Sequence, residues 1–135
     1  MSVLNVLYCN ELSVEDFCIL RKLVNWHEIP KKIVKKALEK SDFIVAAKVD
    51  DITVGMARLI TDGTQVYVMD VAVHPDYQGK GIGRGLMERV RQFVESMEYD
   101  QMLAVLVTDR SNIGFYEKFE YADTVGMVLW LDRTE

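Results

Sequence analysis

A glycine-rich segment in the middle of the chain has the composition of an anion-binding loop. Residues 78–83 read Gln-Gly-Lys-Gly-Ile-Gly and follow an apolar stretch that ends at Pro75. From Leu86 to Met97, apolar residues recur at three- and four-residue steps, which predicts a helix. Glycine lets the backbone approach a ligand, and the first N–H groups of a helix lack partners within it. This order of strand, glycine-rich turn and helix predicts a site for a phosphate-bearing cofactor.

The glycine spacing argues against two common phosphate loops. Glycines recur every second residue from Gly79 to Gly85, so the dinucleotide pattern Gly-x-Gly-x-x-Gly fits only if glycines are skipped. The triphosphate loop requires Gly-Lys-Ser/Thr, but Lys80 is followed by Gly81. The pattern Gln/Arg-x-x-Gly-x-Gly/Ala does fit, with Gln78, Gly81 and Gly83 at its defining positions. The segment therefore resembles the acetyl-coenzyme A loop of the GCN5-related N-acetyltransferase (GNAT) family; a tight connection without a ligand is the alternative.

The residues before this loop are similar to the cofactor strand of the same family. The resemblance implies that the strand splays from its neighbour and pairs through its backbone with the pantetheine arm of acetyl-coenzyme A, which is a form of strand addition. It also implies which residues contact the cofactor on the strand and in the loop: Val71, Ala72, Val73, Gln78, Gly79, Lys80, Gly81, Ile82, Gly83 and Arg84.

A second motif, Asn112-Ile113-Gly114-Phe115-Tyr116, follows an apolar run from 102 to 107. It is similar to the family's closing segment Asn-x-x-Ala-x-x-Phe-Tyr-x-x-x-Gly-Phe, although Asn112 lies closer to the aromatic pair and Glu120 replaces the usual glycine. The resemblance implies that Asn112 and Phe115 contact the cofactor. It implies that Tyr116 protonates the departing thiolate. The alternative is that Tyr116 is an ordinary packed aromatic residue.

Acetyl transfer from a thioester sets the remaining requirements. A neutral primary amine attacks the carbonyl, a tetrahedral intermediate forms and a thiolate leaves, so positioning and oxyanion stabilisation should supply most of the acceleration. A backbone N–H near Val71 is a candidate oxyanion donor. Asp70 is the nearest acidic candidate for the base that deprotonates the amine. Water is the alternative base, and a solvated or salt-bridged strand residue is the alternative role for Asp70.

The acceptor pocket is implied to lie between the first two helices and the cofactor strand. Asn25-Trp26 resembles the Gly-Trp pair of relatives that acetylate small amines, so Trp26 and Tyr67 are candidates for its lining. The alternatives are a core position for Trp26 and a surface position for His27. A net charge of −5 mildly favours a cationic small-molecule amine and argues against nucleic acid. A non-catalytic acyl-coenzyme A-binding module and a protein or peptide N-acetyltransferase remain open as other functions.

Length and composition predict one globular N-acetyltransferase domain over residues 1–135, half of whose residues are apolar. No apolar run reaches the roughly 18 residues that span a bilayer, and no leader-like segment opens the sequence. Cys9 and Cys18 have no metal or redox spacing. We therefore expect no membrane association, no metal and a cytoplasmic location, with a homodimer left open.

The predicted elements follow the order β-α-α-β-β-β-α-β-α-β. Strands are predicted at 3–8, 42–49, 52–60, 65–73, 102–107 and 125–131. Four helices are predicted: the first starts at Ser13, the second starts at Pro30, and the last two cover 82–97 and 111–118. This is the order of the acetyltransferase fold, an α/β (α+β) fold with a mixed central sheet and a splayed cofactor strand. The resemblance is strong from 66 to 121 and weak before 40.

Overall fold

The computed structural model describes residues 4–134. Within them the chain forms β1 (Leu7–Cys9), α1 (Val14–Leu23), α2 (Lys31–Glu39), β2 (Phe43–Val49), β3 (Ile52–Thr61), β4 (Gln65–Val73), α3 (Ile82–Glu95), β5 (Leu103–Val105) and α4 (Ile113–Glu117). Short 3₁₀ turns lie at Pro75–Tyr77 and Arg110–Asn112. The mixed α/β fold predicted from the sequence is confirmed. The predicted first strand began at Val3, which lies outside the described residues.

The strands form one sheet in the order β1-β2-β3-β4-β5. The first four are antiparallel to their neighbours, and β5 runs parallel to β4. Asp50 and Asp51, with φ of 50° and 65°, form the turn between β2 and β3. Positive φ at both central residues is typical of a type I′ turn, whose twist matches that of the strands it joins. The sequence predicted this hairpin.

Helices cover both faces of the sheet, because the strands are apolar on both sides. On one face, α3 packs Ile82, Leu86, Met87 and Val90 against the strands, at the predicted helical spacing. On the other face, Phe17 and Leu20 of α1 pack with Val34 of α2 and with Met56. Successive residues of a strand point to opposite faces, so Met56 belongs to one cluster and Ala57 to the other.

The sheet opens between β4 and β5. The two strands pair only through Gln65–Tyr67 and Leu103–Val105, so no strand of the described chain covers this side of β4 beyond Tyr67. On its other side, β4 has an irregular register against β3, and Asp70 at this irregularity has a φ of 57°. The predicted splay of the cofactor strand is confirmed, and it leaves backbone N–H and C=O groups of β4 facing an opening.

The last strand, predicted from 125 to 131, is not formed and that prediction is wrong for the single chain. Residues 121–134 contain no helix or strand. Val125, Met127 and Leu129 are 92%, 95% and 87% exposed. A strand requires a neighbour to satisfy its backbone groups, and within the described chain this segment has none. The apolar pattern that indicated a strand is present, but its partner is missing.

Candidate active site

The glycine-rich loop forms an open cradle at the start of α3. Gly79 and Gly81 have φ of 77° and 84°, the left-handed region that glycine adopts without strain. A Cβ at either position would meet no atom within 4 Å, so conformation rather than packing requires glycine here. Gly81 is the N-cap of this 14-residue helix, and no side chain caps it.

The first turn of α3 is therefore available to an anion. The first bond within the helix runs from the Gly85 N–H to the Gly81 carbonyl, at 3.1 Å. The N–H groups of Ile82, Gly83 and Arg84 precede it and have no acceptor inside the helix. Together with the positive end of the helix dipole, they form an arrangement that suits a phosphate or pyrophosphate.

Side chains of the loop fasten it to the end of β4. The Gln78 amide donates from Nε2 to the carbonyl of Val73 at 3.0 Å. The His74 ring accepts a hydrogen bond from the Asp76 backbone N–H through Nδ1. The backbone N–H of His74 donates to the Val54 carbonyl at 2.7 Å. Gln78 thus shapes the loop, and a direct contact between Gln78 and the cofactor stays a prediction. Lys80 and Arg84 are exposed beside the cradle.

Helix α4 docks directly onto this cradle. A Cβ at Gly83 would lie 3.1 Å from Cζ of Phe115, so the Phe115 ring rests against the glycine of the first turn of α3. Asn112 caps α4 with its backbone while its Nδ2 donates to Thr108 Oγ1 at 3.2 Å. Phe115 contacts the Tyr116 ring edge-to-face at 5.0 Å. The two motifs, about thirty residues apart in sequence, therefore meet in one place.

Tyr116 is well suited to hold a proton. The residue is 9% exposed. Burial, followed by the neighbouring Tyr121, raises the pKa of Tyr116 to about 12. Within residues 4–134 the Tyr116 hydroxyl has no hydrogen-bond partner. The only side-chain nitrogen or oxygen there that is both unpartnered and fully buried is Arg21 Nε, so the Tyr116 oxygen is not fully buried. The Tyr116 hydroxyl is thus protonated at neutral pH and keeps some access to solvent.

Asp70 lies between two arginines. Its Oδ1 is 2.6 Å from Arg21 Nη1, and its Oδ2 is 2.7 Å from Arg58 Nε. Each carboxylate oxygen already accepts a charge-assisted hydrogen bond, so taking a proton from an amine would require an ion pair to open. The geometry fits the alternative role given above, a salt-bridged strand residue, whereas the base role stays a prediction.

The sequence interpretation missed both arginines of this cluster. Arg21 also donates from Nη2 to the His27 carbonyl at 3.1 Å, and its guanidinium lies 5.1 Å from the Trp26 ring centroid. Arg21 thereby connects β4 to the loop between α1 and α2. A signal was present, because Arg21 follows Phe17 by four residues and so falls on the apolar face of α1.

The predicted acceptor residues lie on two different elements. Trp26 follows α1, is partly exposed and packs against Arg21. Tyr67 is also partly exposed and pairs with Val105 at the last contact before β4 and β5 separate. Tyr67 thus lies where the sheet opens. Within residues 4–134, no three His, Cys, Asp or Glu side chains group as metal ligands, and no helix has the length and apolar character to span a bilayer.

Residues 9–121 match the acetyltransferase (GNAT) family. A relative from the red alga Porphyra purpurea, "Uncharacterized N-acetyltransferase ycf52", is 32% identical over 132 aligned residues, which cover 92% of this chain and 73% of the relative. The chain belongs to the GNAT acetyltransferase family, and it is an acetyltransferase.

Solved structures of acetyltransferases share the fold. SA2161 from meticillin-resistant Staphylococcus aureus, described as a probable acetyltransferase, superposes with a TM-score of 0.87 at 26% identity over 94% of this chain and all of that chain. Arabidopsis thaliana glucosamine-6-phosphate N-acetyltransferase gives 0.78 at 16% identity over 95% and 99%. Arabidopsis thaliana Naa50, bound to the bisubstrate analogue CoA-Ac-MVNAL, gives 0.74 at 22% identity over 89% and 85%. At their lower identities the last two show the fold alone.

The family uses acetyl-coenzyme A, and the residues present fit it. The uncapped start of α3 offers N–H donors for a pyrophosphate, and the space around Gly79 and Gly81 is open, since a Cβ at either would meet no atom within 4 Å. The open side of β4 offers an edge along which an extended chain such as pantetheine can pair.

Proposed function

We propose that the protein transfers the acetyl group of acetyl-coenzyme A to the primary amine of a small molecule, acting as one N-acetyltransferase domain. The observation that carries this proposal is the contact between Phe115 and Gly83. It supports the proposal because Tyr116 follows Phe115 directly in α4 and its ring contacts the Phe115 ring, which rests against the start of α3. A module that only binds acyl-coenzyme A has no need for a proton donor at this position.

Binding of the cofactor uses backbone more than side chains. The N–H groups of Ile82, Gly83 and Arg84 hold the pyrophosphate, and Lys80 adds a positive charge at the rim. The free edge of β4 from Met69 to Val73 pairs with the pantetheine arm, because β5 leaves it uncovered. Backbone pairing fixes the arm in direction and depth, which places the reacting carbonyl near Val71.

Acetyl-coenzyme A supplies an acetyl group activated as a thioester. A backbone N–H near Val71 donates a hydrogen bond to the carbonyl oxygen as that oxygen gains negative charge. Tyr116 gives its hydroxyl proton to the departing sulfur and regains one from solvent. Water removes the extra proton from the amine, since both oxygens of Asp70 are engaged by arginines. Asp70 instead acts as a positioning residue that holds β4 at its irregular register.

A small amine suits the surroundings of Trp26 and Tyr67. Both rings are partly exposed, and an aromatic wall can contact the apolar part of an amine or attract its cationic form. The net charge of −5 draws cations toward the protein. These features support the proposal, while a peptide acceptor is left as an outcome of the test.

The test is a panel of small primary amines and peptides with free N-termini or lysines, mixed with acetyl-coenzyme A and followed by thiol release. We expect amine-dependent release that is fastest with a small amine. Fastest release with peptides would transfer the assignment to protein acetylation. No release with any acceptor, despite measurable acetyl-coenzyme A binding, would favour the binding module.

Replacing Gly81 checks that the measured binding uses the proposed loop. Gly81→Glu should weaken acetyl-coenzyme A binding more than tenfold, a loss above about 1.4 kcal/mol, because it adds bulk and negative charge to the anion cradle. Gly63→Glu is the matched control, since Gly63 also has a positive φ, 97°, and open space around it but lies in the turn before β4. Wild-type affinity in a folded Gly81→Glu protein would refute the loop assignment.

A further inference from the structure

A groove runs beside α3, on the face of the sheet opposite to α1 and α2. It is bounded by Tyr8 of β1, Phe43 of β2 and Arg89 of α3, and its volume is about 350 Å³. That volume lies at the lower end of the range for small-molecule sites, about 300–1,000 Å³. None of the candidate catalytic, cofactor-binding or acceptor residues described above lines it. The groove is therefore a concave surface that acetyl transfer does not account for.

Arg89 supplies the charge of this groove. Within residues 4–134 it is the one charged residue of the lining, and it forms no ion pair there. The other two arginines of α3, Arg84 and Arg91, each pair with a glutamate four residues further along the helix. Arg89 has Phe93 at that position. The helix thus leaves one guanidinium without a counter-charge, and this guanidinium faces a concave surface.

The guanidinium of Arg89 is held in place from below. Its Cζ lies 3.7 Å from the centroid of the Tyr8 ring, and its Nη1 donates to the Gly85 carbonyl at 3.1 Å. The Tyr8 hydroxyl in turn donates to the Ile82 carbonyl at 3.4 Å. The other four N–H donors of the guanidinium have no acceptor within residues 4–134. Because the side chain is already positioned, an anion that binds these donors costs little side-chain freedom.

The groove also has an apolar wall. The rings of Phe43 and Phe93 stack with their centroids 4.8 Å apart, and both remain half-buried. Val45, which is buried, completes this part of the lining. A ligand in the groove would therefore meet one fixed positive charge and a mainly apolar surface beside it, which is the combination that orients small ligands in protein sites.

We propose that this groove binds a small carboxylate with an apolar body, at a site separate from the acetyl-coenzyme A cradle. The carboxylate accepts two parallel N–H bonds from Arg89, and the apolar body lies against Phe43 and Phe93. A single positive charge beside apolar rings favours such a monoanion over inorganic phosphate, which has no apolar part to bury. Arg89 follows Ile82 by seven residues, so the site lies about 10 Å along α3 from the cradle.

Calorimetric titration of the whole protein with benzoate is the first test. Benzoate should bind with a Kd below about 1 mM, and benzamide, its neutral counterpart of the same shape, should bind at least tenfold more weakly. Arg89→Gln should weaken benzoate binding at least tenfold and leave benzamide unaffected. Arg91→Gln is the matched control, because it removes a charge from the same helix outside the groove, and its affinity for benzoate should equal that of the wild type.

The two free cysteines locate the probe in the unmodified protein, so this measurement does not depend on the folding of a variant. Cys9 lines the groove, whereas Cys18 packs in the cluster on the other face of the sheet. Benzoate should slow the alkylation of Cys9 by iodoacetamide in proportion to its occupancy and leave the rate at Cys18 unchanged. The same protection should persist when coenzyme A is saturating.

Several outcomes would overturn the proposal. No binding of benzoate or of butyrate at millimolar concentration would mean that the groove is not a carboxylate site. Equal affinity for benzoate and benzamide, or wild-type affinity in Arg89→Gln, would refute recognition by the guanidinium. Displacement of benzoate by coenzyme A would place the probe in the anion cradle instead. Unchanged alkylation of Cys9 by a bound probe would place the site elsewhere on the molecule.

Discussion

The Asp70 cluster gives a test that separates a structural role from a catalytic one. Asp70 bridges Arg21 and Arg58, and all three side chains are about nine-tenths buried. Asp70→Asn keeps the shape of the side chain but removes its charge. It also keeps the backbone conformation, because asparagine tolerates the observed φ of 57° as well as aspartate does.

The expected loss of stability is about 3 kcal/mol. Removing one partner of a buried ion pair typically costs about 3–5 kcal/mol, because the remaining charge is left buried without compensation. Here two guanidinium groups are left without a counter-charge, but the amide oxygen of asparagine still accepts a hydrogen bond from one of them. Other acceptors, the His27 carbonyl and the Ser41 hydroxyl, also remain in place. These compensations favour the low end of the range.

Urea unfolding measures this loss, with Asp51→Asn as the matched control. Asp51 also has a positive φ, 65°, but lies exposed in the turn between β2 and β3. Its variant should change the free energy of unfolding by less than about 0.5 kcal/mol. A loss below about 1 kcal/mol for Asp70→Asn would mean that these ion pairs act like surface pairs and that the structural role is wrong. Full stability with a large drop in kcat would instead support Asp70 as the general base.

Three further predictions concern the aromatic residues of the site. Tyr116→Phe should lower kcat by roughly ten- to a hundredfold with little change in acetyl-coenzyme A affinity, since it removes only the proton donor. Tyr99→Phe, at an exposed tyrosine, is the control and should have wild-type kinetics. An undiminished kcat in Tyr116→Phe would leave Tyr116 as a packed aromatic residue. Alkaline unfolding provides a second test of Tyr116. The pKa of Tyr116 is about 12 in the folded state and near 10 in the unfolded state. The contribution of Tyr116 to the free energy of unfolding is therefore complete below about pH 10 and falls by up to about 2.7 kcal/mol as the pH rises through about 12. Tyr116→Phe should therefore lose less stability than the wild type over this interval, and equal losses would contradict the raised pKa. Trp26→Ala should raise KM for the best amine while leaving cofactor affinity intact, and unchanged amine kinetics in a stable variant would return Trp26 to a packing role.

Local patterns predicted the elements and much of the loop. Ser13 caps α1 by accepting from the Asp16 N–H at 3.0 Å, as its position before an apolar face indicated. The glycine-rich loop stands at the start of α3, as the spacing of its glycines required. These features depend on residues within a few positions of one another, so a single sequence contains the information that determines them.

Features that depend on distant residues were not predictable in the same way. The ion pair between Arg21 and Asp70 joins residues 49 positions apart, and no spacing rule connects them. The contact of Phe115 with Gly83 joins residues 32 positions apart and depends on how α4 packs against α3. The strand predicted at 125–131 is not formed for a related reason: its apolar pattern is local, but a strand also needs a pairing neighbour, and the described chain does not supply one.

The narrow junction between β4 and β5 has a consequence for how the protein responds to its ligand. Three residue pairs join these strands, whereas β4 is paired along most of its length with β3. A ligand that lies along β4 would supply hydrogen-bond partners that the sheet itself lacks. Amide hydrogens of Met69 to Val73 that face the opening should then exchange slowly with deuterium when acetyl-coenzyme A is bound and quickly without it. Saturation to about 100 times Kd would stabilise the fold by about 2.7 kcal/mol. On the proposed binding mode, acetyl-coenzyme A would act as a removable strand, and its binding could be measured as a change in the rigidity of one edge of the sheet.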